Sequence, residues 1–225
     1  AAAGGFGLSA AEAPHRFHDP RVLIAADYST RAAAPGSLIS VLGGRVESAR
    51  AGDLTFPVLA ASDSESQIQV PFEAGGAMVS LALSMPAGRY TVGLPLETVS
   101  PAVFVDRDGT PMILDADSGV LLDAMTPARS NSRIQVLLTG LGRVRPDWPT
   151  GLAAPLDAPP RVAAPVKAYL DRVPVEVTRA TLAPGYIGFY LVEVQLPELV
   201  NAGPAEFYIE AGGRDSNRVR VYVEP

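Results

Sequence analysis

The sequence predicts an all-β protein built as two tandem immunoglobulin-like antiparallel β-sandwich domains, on three observations. Apolar residues recur in strand-sized pieces between turn residues, and no amphipathic run of helical period separates them. Glycine and proline are frequent, 21 of each in 225 residues, which is below the composition of disordered chains but enough to interrupt the chain at short intervals. One phrase occurs twice: QIQVP at 67–71 and EVQLP at 193–197, 126 positions apart.

In chain order, residues 1–19 have little periodicity and read as an N-terminal tail or linker. The first sandwich is expected over 20–124. RVLIAADYS (21–29) offers its first strand. SLISVL (37–42) lies between Pro35-Gly36 and Gly43-Gly44. LTFPVLA, SQIQVP, AMVSLAL and RYTVGL follow at short intervals, and AVFV (102–105) runs into the turn signal Asp106-Arg107-Asp108-Gly109. PMILDADSGVLLDA (111–124) reads as a short hairpin bending at Asp117-Ser118-Gly119.

The second sandwich is expected over 125–225. SRIQVLLTG (132–140) alternates, and a Pro-rich loop (143–165) follows it. VKAYL and VPVEVT flank Asp171-Arg172, a two-residue hairpin bend. GFYLVEVQLP, AEFYIEAGG and NRVRVYVE complete the set. The sets align: Leu38-Ile39-Ser40-Val41-Leu42 with Ile134-Gln135-Val136-Leu137-Leu138, and QIQVP with EVQLP. About 100 residues per copy is the usual size of an immunoglobulin-like sandwich. Within the repeated phrase, alternation sends Ile68 and Val70 to one face and Gln67 and Gln69 to the other. Val192, Val194 and Leu196 point inward by the same rule, with Glu193 and Gln195 outward. Pro71 and Pro197 lack an N–H and end ladder pairing at the same place in each copy.

Composition narrows the function classes. The net charge is −6 and no Lys/Arg run occurs, with Lys167 the only lysine, so nucleic acid is not an expected partner. There is no cysteine, which removes disulfides, thiolate metal sites and Cys nucleophiles. No apolar run reaches the ~18 residues of a membrane helix. The small, Ala-rich start AAAGGFGLSAAEAP is compatible with what remains after a leader is removed. The only histidines, His15 and His18, stand beside Asp19 in the tail with no fourth ligand nearby, and a Ser-His-Asp triad would have to borrow one of them. Asp106, Asp108, Asp115, Asp117 and Asp123 cluster, but Gly109 comes too early for a calcium loop and no Glu closes one. Turn geometry explains these residues more simply. No metal or cofactor is expected.

Taken together, APGSLISVLG (34–43), QIQVP (67–71), SPAVF (100–104), TGLGRVRP (139–146), LAPGYIGFY (182–190) and Ser216-Asn217 before the last strand give the chain a family likeness. It resembles the Solibacter-type C-terminal domain family, a duplicated β-rich module of exported proteins in soil acidobacteria, over roughly residues 22–224. The resemblance implies an exported, surface-associated module with no catalytic residues to carry over. The chain departs from the family at Gln69, where Asn is usual; at Leu191-Val192-Glu193, where Gln-Val-Asn is usual; and at Asp171-Arg172, where a Gly-containing bend is usual. If those amides hold a ligand in the family, the replacements remove it here.

The function expected is therefore a non-catalytic extracellular or cell-surface module for adhesion or self-assembly, with protein partners or further copies of itself. One form is a filament subunit whose N-terminal segment adds as a strand to a neighbour's sheet edge. The alternative is a carbohydrate-binding accessory module reading surface glycans. Four residues are the candidates for partner or ligand contact: Trp148 in the Pro-rich loop, Tyr186 before a strand, and Gln69 and Glu193 on outward faces. Trp148 also reads as a loop anchor, Tyr186 as a corner residue bonding backbone, and the outward glutamines as an ordinary sheet face.

Overall fold

The computed structural model describes residues 19–225; every described element is a strand or a turn. The first eight strands are β1 (Arg21–Ile24), β2 (Leu38–Leu42), β3 (Ser48–Ala51), β4 (Leu54–Phe56), β5 (Val58–Ala61), β6 (Glu65–Gln69), β7 (Met78–Met85) and β8 (Gly88–Pro95). They form two four-stranded sheets, in the orders β1-β2-β6-β5 and β4-β3-β7-β8. Alternation drives this. Leu81 and Leu83 of β7 are buried between exposed Ser80 and Ala82, and they meet Ile39, Ile68 and Phe56 in one core. Pro57 separates β4 from β5, because without an N–H it cannot continue the ladder, and the chain crosses there from one sheet to the other.

The remaining strands are β9 (Ala102–Val103), β10 (Ile113–Asp115), β11 (Ala128–Arg129), β12 (Arg133–Thr139), β13 (Val144–Arg145), β14 (Arg161–Val162), β15 (Val166–Leu170), β16 (Val173–Leu182), β17 (Tyr190–Gln195), β18 (Gly203–Ala211), β19 (Arg214–Asp215) and β20 (Val219–Glu224). Their pairing repeats the first order, β10-β12-β17-β16 and then β15-β18-β20-β11. Here the nearby proline, Pro174, lies within the strand opposite Tyr169 and does not break it. β16 runs unbroken, pairing first with β15 through Val173 and Val175, then with β17 from Glu176 onward, with a bulge between Val177 and Arg179. That one strand joins what would otherwise be two sheets. The bend at Asp171-Arg172 has φ of 48° and 66°, the left-handed pair a two-residue hairpin requires. In both sets the strand order and the parallel contact beside the last strand (Ala33 with Leu96; β11 with β20) are immunoglobulin-like.

The structure revises three sequence expectations. First, β9 and β10, placed by sequence in the first unit (20–124), are hydrogen-bonded to β12, so these two strands pair with the second set, while Ala102 and Phe104 still pack in the core of the first. Second, β2 pairs with β6 so that Ile39 faces Ile68, and β12 pairs with β17 so that Ile134 faces Val194. Ile134 is thus the counterpart of Ile39, not of Leu38. The cause is that Leu38, Ile39, Ser40 and Val41 are all buried: with both faces of β2 covered, alternation no longer marks the register. Third, β3 was missed, its SARA segment being small and polar. The repeated proline behaves as expected, for β6 and β17 each end two residues before it.

Candidate functional site at the junction of the two strand sets

The two sets meet along a surface where glycines allow backbones to touch. A Cβ on Gly140 (φ 86°) would overlap the Ser100 carbonyl, one on Gly142 the Thr98 carbonyl, and one on Gly188 the Leu38 side chain. Hydrogen bonds follow from that closeness. Thr139, fully buried, accepts the Leu38 N–H at its Oγ1 (3.0 Å) and donates to the Gly188 carbonyl (2.9 Å). The buried Tyr190 hydroxyl donates to the Gly142 carbonyl (2.6 Å), and burial holds its phenol far above the ordinary range. Arg31 reaches across to the Pro101 and Asp215 carbonyls, and Arg214 pairs with Glu97 at 2.7 Å. Phe104 stacks on Phe189 with ring centroids 4.5 Å apart. Phe72, from the turn after β6, packs within the core of the second set.

The Pro-rich loop lies over this junction and gathers three of the four sequence candidates. Gln69 is buried, against the expectation that it faces partners; its side-chain oxygen accepts the Gly151 N–H at 2.7 Å. Thr150 accepts the Phe72 N–H and donates to Glu73. Trp148, half-buried, donates its indole N–H to the Leu152 carbonyl at 3.0 Å, which anchors the loop. Tyr186 is exposed; its ring leans on Phe189 and its carbonyl accepts the Ala154 N–H. The second-copy counterpart of Gln69, Gln195, likewise holds a loop, donating to the Asn131 carbonyl at 3.0 Å. The glutamine of the repeated phrase thus ties a loop to the sheet in both sets.

Glu193 lies apart from the junction and is not presented to partners either. Only 7% exposed, its carboxylate accepts bonds from Arg133, Gln135, Thr178 and Arg179. Burial alone would raise its pKa. The hydrogen bonds from Gln135 and Thr178, then the charges of Arg179 and Arg133, hold it below the ordinary Glu value. The arginines that close over it come from neighbouring strands, so an outward position on β17 becomes a covered one.

The acidic cluster is engaged in turns. Asp106 accepts the N–H groups of Asp108 and Thr110, Asp123 those of Met125 and Thr126. Asp115 accepts the Ser118 hydroxyl and N–H, bonds that lower its pKa. His15 and His18 lie outside the described residues.

Sequence reasoning missed Arg143. It is exposed and forms no ion pair among the described residues. It separates two grooves. One, about 380 Å³, runs between Pro35, Ala74 and Leu96 on one side and Ala163 and Gly212 on the other. The second, about 140 Å³, is lined by Phe72, Glu73, Asp147 and Trp148. The sequence carries no signal for it, since the grooves are built by both sets.

No protein-family model matches the chain, and no curated protein matches it. Among solved structures, SGBP-B of the Bacteroides ovatus mixed-linkage glucan utilization locus, in complex with a mixed-linkage heptasaccharide, is 11% identical; the match covers 87% of this chain and 44% of that one, with a TM-score of 0.39. SGBP-B from a complex xyloglucan utilization locus in Bacteroides uniformis is 12% identical over 91% of this chain and 49% of that one, at a TM-score of 0.32. The I9-I11 tandem of titin is 9% identical over 86% and 62%, at 0.27. The chain spans about half the length of the two SGBP-B proteins.

Proposed function

We propose that this chain is a non-catalytic module of the cell exterior, two tandem immunoglobulin-like sandwiches acting as one rigid unit in adhesion or self-assembly. The observation that carries this reading is the junction. Thr139 and Gln69 spend buried polar groups on joining the two strand sets, which suits a spacer or building block and not a hinged clamp. The acidic groups whose ionisation the fold shifts, Glu193 and Asp115, bond neighbouring side chains and turn amides, which supports the non-catalytic reading. The resemblance to exported acidobacterial modules supports the location. Of the N-terminal 30 residues that the strand-addition form uses, Arg21–Ile24 already pair with β2, and residues 1–18 lie outside the described structure.

Sedimentation velocity on the full chain and on a chain beginning at residue 19 tests the proposal. Self-association, or saturable binding to a cell surface, is the expected result. A monomer with no surface binding at any accessible concentration refutes it. Dependence on residues 1–18 would select the strand-addition form.

The grooves beside Arg143 favour a second reading, carbohydrate binding, because an aromatic side chain, an unpaired Arg and two acids converge there. A glycan array with wild type and Trp148→Ala decides it: binding lost in the variant supports this reading, and no binding by either removes it.

A further inference from the structure

The two strand sets meet end to end. At the junction, Pro71, Phe72 and Ala74, in the turn after β6, are buried, and Phe72-Glu73 shares a groove with Arg143-Val144. The counterpart turn after β17 is bare. Pro197, Glu198 and Leu199 are exposed there, Leu199 by 91%. With Val173, 61% exposed, Leu199 borders an apolar groove of about 210 Å³.

The receiving segment also has a counterpart. Gly44-Arg45-Val46 of the first set repeats Gly142-Arg143-Val144 of the second: the valine is 2% exposed in each, and the glycine has positive φ in each. These two surfaces lie at opposite ends of the molecule. β2 leaves the junction at Leu38, where it touches Thr139, and reaches Gly43 at the far end. β17 leaves it at Tyr190 and ends at Gln195, beside the bare turn. One molecule therefore carries, at the two ends of its described residues, the two sides of a contact it already makes within itself.

We propose that a second copy of this chain docks there, Glu198-Leu199 of one copy against the Gly43-Gly44-Arg45-Val46 segment of the next. This rests on the self-assembly reading above. The chemistry is that of the junction with the order exchanged: an apolar-acid pair, Phe72-Glu73, becomes an acid-apolar pair, Glu198-Leu199, and Arg45, which pairs within its own set with exposed Asp63 at 3.5 Å, stands where Arg143 stands. The two surfaces differ, so the contact is heterologous and propagates instead of closing on a twofold axis. Without the covalent link that holds the internal junction, it is weak in solution and strengthens where copies are crowded.

Sedimentation velocity of the full chain from about 1 μM to about 1 mM tests this, with thermal melting to establish that each variant folds. Wild type is expected to form species larger than dimers. Leu199→Asp is expected to raise the concentration for assembly at least about tenfold. Glu198→Arg and Arg45→Glu should each weaken assembly, and together restore it. Association that Leu199→Asp and the charge exchange leave unchanged, or that stops at a closed dimer, overturns this contact while leaving the assembly reading standing. A monomer throughout the range overturns both.

Discussion

Replacing Thr139 by Val tests whether the two strand sets are locked together in solution. The substitution keeps the shape and removes the hydroxyl that accepts the Leu38 N–H and donates to the Gly188 carbonyl. Both backbone groups sit at a fully buried residue's side chain, so water does not replace it. Leaving a buried polar group unpaired costs about 1–3 kcal/mol; two such groups at the middle of that range, sharing some relaxation, give about 3 kcal/mol. For a chain of this size, that lowers Tm by about 6–12 °C. Thr139→Ser keeps the hydroxyl and loses one methyl, about 1 kcal/mol, and is the control. The assay is calorimetric melting with urea midpoints. Wild type is expected to melt in one transition, and Thr139→Val to broaden or split it as the sets uncouple. A Thr139→Val melt within about 2 °C of wild type would mean that water already meets these groups and that the junction is not a lock.

Three further outcomes are expected. Gly140→Ala adds a Cβ against the Ser100 carbonyl at φ 86°, so it should cost more than about 2 kcal/mol, read as a lowered urea midpoint with unchanged m-value. Because the folded pKa of Glu193 lies below its ordinary value of 4.5, its charged form contributes stability above pH 4.5, lost as pH falls through the lower folded value. Glu193→Gln should therefore cost about 1–2 kcal/mol near neutrality and flatten the acid limb of a urea-midpoint-against-pH curve. Gln69→Leu leaves the Gly151 N–H unpaired; because Trp148 is the only tryptophan, a red shift in emission and faster amide exchange in residues 148–152 should report the loosened loop.

The strands were legible because most lie on sheets with one dry face, where alternation carries the signal; β7 and β18 are plain in the sequence for that reason. Legibility failed where that condition failed. β2 is covered on both faces, and its register slipped by one. β9 and β10 precede β12 by a loop and read as the tail of the first unit, since nothing local states which sheet a strand will join. The candidate residues divide the same way. Trp148 as loop anchor followed from residue type and neighbours. Gln69 and Glu193 hold outward positions by alternation, but a loop distant in sequence covers the first and arginines from two other strands cover the second. Arg143 gained its interest only from grooves built by both sets.

The placement of β9 and β10 bears on how the gene can be dissected. A fragment ending at residue 124 would carry both strands away from β12, their hydrogen-bonding partner. Ile113 and Leu122 would lose the core they help fill, and the complementary fragment would display β12 as a bare edge, a template for aggregation. Cloning boundaries, protease nicking sites and fusion points chosen from the sequence repeat would all fall inside one cooperative unit, and a cut just after β8 would in turn strip Ala102 and Phe104 from the first core.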